Sequence, residues 1–160
     1  MGSGKKIAGP NGYVFRDAGP DDLDRLMSIE SRAHHAPWSE DVFGRELELE
    51  WSYAWLMEDA TGRAVALLVF WVIHDEIHIL DVAVDPDYRR RGLARGLLEH
   101  LIEIASGQGI AMMTLEVRFG NVAAQKLYES LGFERLGSRP QYYQDNGEDA
   151  WVMSRNIEES

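Results

Sequence analysis

Residues 77 to 117 constrain the fold more than any other stretch of this chain. Ile77 to Val84 is a mostly apolar run rich in β-branched residues, and DPDYRRRG follows it directly. From Gly92 to Ser106 the period changes. Leu93, Leu97, Leu98, Leu101, Ile102 and Ala105 recur at three and four residues, which is the spacing of an amphipathic helix. Gly107 and Gly109 stop that helix, and Ala111 to Val117 reads as another strand. Strand, helix and strand in this order form a right-handed crossover that joins parallel strands.

The flanking segments are antiparallel in character. Tyr13 to Arg16 is a short strand. Pro20 opens a helix whose first turn carries Asp21, Asp22 and Asp24, acids suited to a positive helix N-terminus. Leu23, Leu26 and Met27 form its apolar stripe. HHAPWS interrupts it, and Ser39 is the N-cap of a second short helix through Leu47. Strands Tyr53 to Glu58 and Arg63 to Ile73 flank DATG, which has hairpin-turn chemistry, and HDE at 74 to 76 is a second turn. Asn121 caps a helix with Ala124, Leu127, Tyr128 and Leu131 on one face, ended by Gly132. Phe133 to Arg139 and Asp149 to Asn156 close the sheet. The expectation is an α+β fold, a single mixed central sheet of about seven strands with flanking helices. Residues 13–157 form one domain in this reading, behind a flexible leader at 1–12.

Composition removes several function classes. The chain has 160 residues and no cysteine, which excludes disulfides, thiolate metal ligands and a cysteine nucleophile and fits a reducing cytoplasm. No apolar run approaches the ~20 residues that span a bilayer, and the lysines near the N-terminus precede no apolar segment, so a signal peptide is not expected. A cytoplasmic protein without membrane contact follows. The formal net charge of -11 argues against direct nucleic-acid binding and allows a basic partner.

Within this acidic chain, Arg89, Arg90, Arg91 and Arg95 cluster between a strand and a helix start. Free backbone N–H groups and the helix dipole attract anions there. Gly92 allows close backbone approach, Ala94 is small, and arginines give forked bonds to phosphate. Together these favour a pyrophosphate. The spacing is neither that of the nucleotide-hydrolysing phosphate loop nor of the three-glycine dinucleotide fingerprint. A solvated basic patch is the competing reading of this stretch taken alone.

The stretch VAVDPDYRRRGLARGLLEHLI, with LEVRFGNVAAQKLYESLGF downstream, resembles the GNAT superfamily of acetyl-CoA-dependent N-acetyltransferases. Arg89-x-x-Gly92-x-Ala94 has the form of its pyrophosphate loop, and Asn121, Tyr128 and LGF also match. Ala94 stands where the family often has glycine, and Asp81 precedes VAV where other residues also occur. HHAPWSEDVF at 34 to 43, LEVR at 115 to 118, and the tail with Tyr142, Tyr143 and EDA narrow the resemblance to the RimI family. That family acetylates the N-terminal alanine of ribosomal protein S18, and some relatives acetylate other protein N-termini. The resemblance implies a GNAT fold with a splayed pair of parallel strands and acetyl-CoA in the slot. Val82, Ala83 and Val84 would pair with the acetyl-pantetheine arm. Arg89, Arg90, Arg91, Gly92, Leu93, Ala94, Arg95 and Asn121 complete the expected cofactor contacts.

Acetyl transfer to an amine needs a proton acceptor, a polarised thioester and a protonated leaving thiol. An α-amine has pKa ~7.7–8.0, so a moderate base suffices. Glu116 fits that role near a strand's C-terminal end, and the resemblance places the base there too. Tyr128 is the expected acid, a phenol able to protonate a thiolate. Each has a plainer reading, Glu116 as a solvated or Arg118-paired carboxylate and Tyr128 as a core residue. Without a cysteine or a Ser-His-Asp pattern, direct attack in a ternary complex is expected over an acyl-enzyme.

His35, Trp38, Tyr142 and Tyr143 are candidate acceptor contacts; Trp38 with Pro37, and Tyr142 with Tyr143, would form an aromatic gate over a peptide N-terminus. Trp38 equally reads as a staple of the second helix, and His34 and His35 equally as surface histidines. His74 and His78 lack the further ligands that a metal site needs, and no metal is expected. The function that follows is acetyl transfer from acetyl-CoA to a protein N-terminus, with basic ribosomal protein S18 as the partner. The alternatives are acetylation of a lysine or small amine, or a non-catalytic acyl-CoA-binding module.

Overall fold

A computed structural model describes residues 5–157. The chain forms two compact units, Met1–Val72 with Asp81–Leu98, and Ile73–Leu80 with Glu99–Ser160. The strands are β1 (Ile7–Ala8), β2 (Val14–Asp17), β3 (Ser52–Glu58), β4 (Ala64–Ile73), β5 (Glu76–Val84), β6 (Met112–Arg118), β7 (Glu134–Arg139) and β8 (Ala150–Asn156). The helices are α1 (Leu23–Ala33), α2 (Glu40–Glu46), α3 (Leu93–Ser106) and α4 (Val122–Ser130). The described strands hydrogen-bond in the order β1-β2-β3-β4-β5-β6-β8-β7, one sheet of eight strands where about seven were expected.

In the first unit, β2, β3 and β4 pair antiparallel, with Phe15 opposite Met57 and Leu56 opposite Leu67. Val65 to Phe70 are all fully buried, so β4 is covered on both faces, as a continuous apolar run demands. Trp55 packs between Phe15 and Phe70 at centroid distances of 5.2 and 5.1 Å, and its Nε1 donates to Asp17 Oδ1 at 3.0 Å. The DATG hairpin holds itself through Asp59, whose Oδ1 accepts from the N–H groups of Thr61 and Arg63. Those bonds, with the Thr61 and Tyr88 hydroxyls, lower the Asp59 carboxyl to about 2.

Ser39 caps α2 by accepting from Val42 N–H at 3.1 Å. Trp38, just outside the cap, meets Phe43 in an edge contact at 5.2 Å. That is the geometry of a hydrophobic staple.

The sequence reading missed β1. Ile7 pairs with Phe15 and Ala8 with Val14, inside the expected flexible leader. Pro10 follows and sits against α3, where a Cβ on Gly96 would come within 2.9 Å of Pro10 Cδ. A two-residue strand carries too little periodicity to be seen in sequence. Residues 1–4 of that expected leader lie outside the described residues.

In the second unit, β5 and β6 pair parallel from Glu76↔Met112 to Ile79↔Leu115. Both strands continue beyond that ladder, while β6 stays paired to β8 through Glu116↔Val152 and Arg118↔Ala150. Met113, Leu115 and Val117 are buried, which leaves Glu116 on the other face of the strand. The turn from β6 into α4 is held by Gln125, a buried amide. Its Nε2 donates to the carbonyls of Arg118 at 2.8 Å and Phe119 at 2.9 Å, and its Oε1 accepts from Arg135. No described helix is long and apolar enough to cross a membrane.

Replacing Gln125 with leucine keeps its bulk but takes the amide donor from the Phe119 carbonyl and the acceptor from Arg135, while the Arg118 carbonyl keeps the Asn121 N–H. The expected cost is about 1–3 kcal/mol, read as a lower urea midpoint with an unchanged slope; an unchanged midpoint would contradict this role.

Candidate active site

The loop after β5 is held by contacts within its own unit. Asp85 is buried, its Oδ1 accepts from Asp87 N–H, and its Oδ2 accepts from Arg32 at 2.7 Å and Arg63 at 3.3 Å. Its own N–H donates to Val65 O at 2.8 Å. Tyr88 OH donates to Asp59 Oδ2 at 2.9 Å, and the guanidinium groups of Arg63 and Arg91 lie 5.2 and 4.9 Å from the Tyr88 ring. This scaffold fixes where the arginine run begins.

The arginines then divide by task. Arg89 Nη2 donates to Ala33 O, at the C-terminal end of α1. Arg91 Nη1 donates to Tyr13 OH at 2.9 Å. Both brace the loop against its own unit. Arg90 adopts φ 65° and Gly92 φ 73°. Two left-handed residues so close turn the backbone sharply into α3, and Gly92 pays no Cβ penalty there. The Gly96 N–H bonds back to Gly92 O at 3.0 Å, so the N–H groups of Leu93, Ala94 and Arg95 precede the helical ladder. Nothing lies within 4 Å of where a Gly92 Cβ would stand. An open, donor-rich helix start flanked by arginines fits a diphosphate. Val82, Ala83 and Val84 lie on β5 just upstream of it.

In the second unit Glu116 is the centre of a small polar cluster. Its side chain is 11% exposed; Oε2 lies 2.6 Å from His78 Nε2 and Oε1 3.6 Å from Arg139 Nε. The sequence reading offered Arg118 as a partner for Glu116, but Arg118 points elsewhere. It donates to Asp145 at 3.0 Å and Glu148 at 3.2 Å, and its guanidinium sits 3.9 Å from the centre of the Tyr143 ring. Strand alternation explains the partner. His78 on β5 pairs across to Thr114, two residues from Glu116 on the same face of β6. Sequence reasoning missed His78 and Arg139 because their link to Glu116 is a cross-strand one.

Tyr142 and Tyr143 follow β7 and meet edge-on at 5.1 Å. Burial pushes the Tyr143 phenol up to about 12, while nearby Arg118 opposes that rise. Burial and the Glu116 charge raise Tyr142. The EDA triplet ties this segment down. Glu148 Oε2 accepts from Gly120 N–H at 2.7 Å, and Asp149 Oδ1 accepts from Gln141 N–H at 2.9 Å.

Asn121 Oδ1 accepts from Ala124 N–H at 3.2 Å, so its side chain caps α4. Tyr128 lies on α4 with its ring 6.0 Å from Phe133. His35 is exposed and Trp38 half-buried. His34 is not a bare surface histidine, since its Nε2 lies 2.8 Å from Asp81 Oδ1.

The family described as "Acetyltransferase (GNAT) family" matches residues 23–133. The ribosomal protein bS18-alanine N-acetyltransferase of Escherichia coli K12 is 43% identical over 138 residues, 85% of this chain and 92% of that protein. The crystal structure of the Escherichia coli ribosomal-protein-S18-alanine N-acetyltransferase superposes with a TM-score of 0.86 at 39% identity, covering 92% of this chain and 96% of that one. Ard1 from Thermoplasma volcanium superposes with a TM-score of 0.81 at 26% identity, covering 92% and 99%. The chain therefore belongs to the GNAT acetyltransferase family, whose members use acetyl-CoA.

Proposed function

We propose that this protein transfers the acetyl group of acetyl-CoA to a protein N-terminus, with the N-terminal alanine of ribosomal protein S18 as acceptor. The 43% identity to the Escherichia coli enzyme of that name, over 92% of its length, carries the choice of acceptor. The net charge of -11 supports it, because an acidic enzyme attracts a basic ribosomal peptide.

The residues divide the work as follows. The loop N–H groups from Gly92 to Arg95, with Arg90, hold the diphosphate. The backbone of Val82 to Val84 pairs with the pantetheine arm, and an N–H near Val84 polarises the thioester carbonyl. Glu116 takes the proton of the attacking amine, directly or through a water. His78, hydrogen-bonded to Glu116 at 2.6 Å, offers that proton a way out. As the new C–N bond forms and the C–S bond breaks, Tyr128 gives its proton to the departing sulfur. Asn121 acts here as the cap that starts α4, the helix carrying Tyr128. Tyr142, Tyr143, His35 and Trp38 contact the acceptor peptide, whose free α-amine needs only a moderate base.

A peptide panel with mass-spectrometric readout tests the acceptor class. Peptides with a free N-terminal alanine should gain one acetyl group, and N-terminally blocked peptides with internal lysines none; acetylation of lysine alone overturns the reading. Glu116→Gln should lower kcat roughly 10²–10⁴-fold with little change in the KM for acetyl-CoA. Equal rates across pH 6 to 9 would remove Glu116 as the base. Gly92→Val forces a β-branched residue onto a left-handed backbone at the phosphate loop. It should weaken CoA binding by about tenfold or more, measured by calorimetry, and unchanged affinity would displace the loop from its assigned role.

A further inference from the structure

A second cluster of ionisable groups lies in the first unit, outside the machinery just described. Glu30 faces inward near the end of α1, with 1% of its side chain exposed. Asp81 faces it from β5 with 7% exposed. His34 follows α1, its Nε2 2.8 Å from Asp81 Oδ1 and 3.8 Å from Glu30 Oε1. One ligand atom from each of the three lies within 4.8 Å of the others. Glu30 Oε2 accepts from the Trp38 N–H at 3.0 Å. Glu30 Oε1 and Asp81 Oδ2 are buried and have no partner of the ordinary donor–acceptor kind.

Two buried carboxylates cannot both stay charged at this range, because neither has water to solvate it. A proton shared between them removes the conflict and gives both orphan oxygens a partner. We propose that Glu30 is a neutral carboxylic acid that donates to Asp81, and that this pair, with His34, is the positioning element for the connection at 34–39. Burial, the hydrogen bond to Asp81 and its charge hold the Glu30 proton well above the usual carboxylate range, with the Trp38 N–H pulling the other way. Glu30 thereby joins three segments. Its Oε2 fixes the Trp38 backbone, its proton engages β5, and its own position on α1 sets where the connection departs. Asp81 accepts from His34 as well when the imidazole carries its proton on Nε2, so the residue after α1 is fixed too.

The consequence for catalysis rests on the reading of His35 and Trp38 as acceptor contacts. Neither Glu30 nor Asp81 touches substrate in this account. They set the shape of the connection that does. Loss of the Glu30 proton places a second charge in the site, loosens the connection and weakens peptide binding, while acetyl-CoA binding stays as it was. Among the described residues, the ionisable groups facing Glu30 are Asp81 from β5 and His34 from the end of α1.

The linkage has a definite sign. The unfolded chain releases this proton near the ordinary glutamate value of ~4.3, and the folded protein keeps it to higher pH. The folded state therefore loses stability relative to the unfolded one as pH rises above the ordinary range. Glu30→Gln retains an acceptor for Trp38 and a donor for Asp81 but cannot ionise.

Steady-state kinetics and thermal unfolding on wild type, Glu30→Gln and Glu30→Ala, from pH 6 to 9, separate the outcomes. At neutral pH, Glu30→Gln should keep the peptide KM near the wild-type value. Glu30→Ala should raise it roughly tenfold, the size of one lost charged hydrogen bond, with the KM for acetyl-CoA unchanged. The wild-type to Glu30→Gln ratio of peptide KM should climb with pH, a ratio in which titration of the peptide amine cancels. Glu30→Gln should also gain melting temperature over wild type as pH rises, a readout that needs no acceptor. If wild type acetylates no peptide N-terminus yet this thermal trend appears, the acceptor reading fails and the shared proton stands. A flat KM ratio with no thermal trend overturns the proposal, as does Glu30→Gln behaving like Glu30→Ala. Tight binding of one Zn²⁺ to wild type, lost in Asp81→Asn and His34→Ala, would also overturn it, since the site would then hold a metal in place of the proton.

Discussion

The parallel ladder between β5 and β6 is the constraint on which the chemistry depends. It pairs four positions and ends at Ile79 and Leu115. Glu116 is the next residue along β6, held in place from the other side by β8. A parallel pair requires a crossover, and the crossover here must pass through the arginine loop and α3 before returning as β6. One topological requirement thus produces both a helix N-terminus that attracts anions and a carboxylate at a strand end.

Electrostatics then explains how an acidic chain accommodates the proposed anion site. The arginine run is not a uniform positive patch. Arg89 and Arg91 are used within their own unit, on Ala33 O and Tyr13 OH. Arg32 and Arg63 neutralise buried Asp85 at the loop's entrance. What remains for a phosphate is largely backbone: N–H groups of the first turn of α3, presented by left-handed Arg90 and Gly92. Counting charges overstates the arginines and understates the glycine.

Much of this was legible in the sequence where the signal is local. The period of α3, the Ser39 and Asn121 caps and the DATG turn act within a few residues, and all appear as read. What the sequence hid was non-local. β1 has only two residues and gains its meaning from pairing with β2. The partner of Glu116 is His78, 38 positions away, brought there by strand register rather than by proximity in the chain. Arg118, the sequence neighbour, instead anchors the segment that carries Tyr143. The Glu30, His34 and Asp81 cluster was invisible for the same reason. Glu30 sits in a helix stripe that would be apolar by pattern, and its match lies 51 residues away on β5.

The proposed acceptor is the N-terminal alanine of ribosomal protein S18. The most direct measurement is the intact mass of S18 from ribosomes of cells that carry the gene and of cells from which it has been deleted. S18 should be heavier by one acetyl group, mapped to its N-terminal alanine, only where the gene is present, and restored by wild type but not by Glu116→Gln. An identical S18 mass in both strains would contradict it.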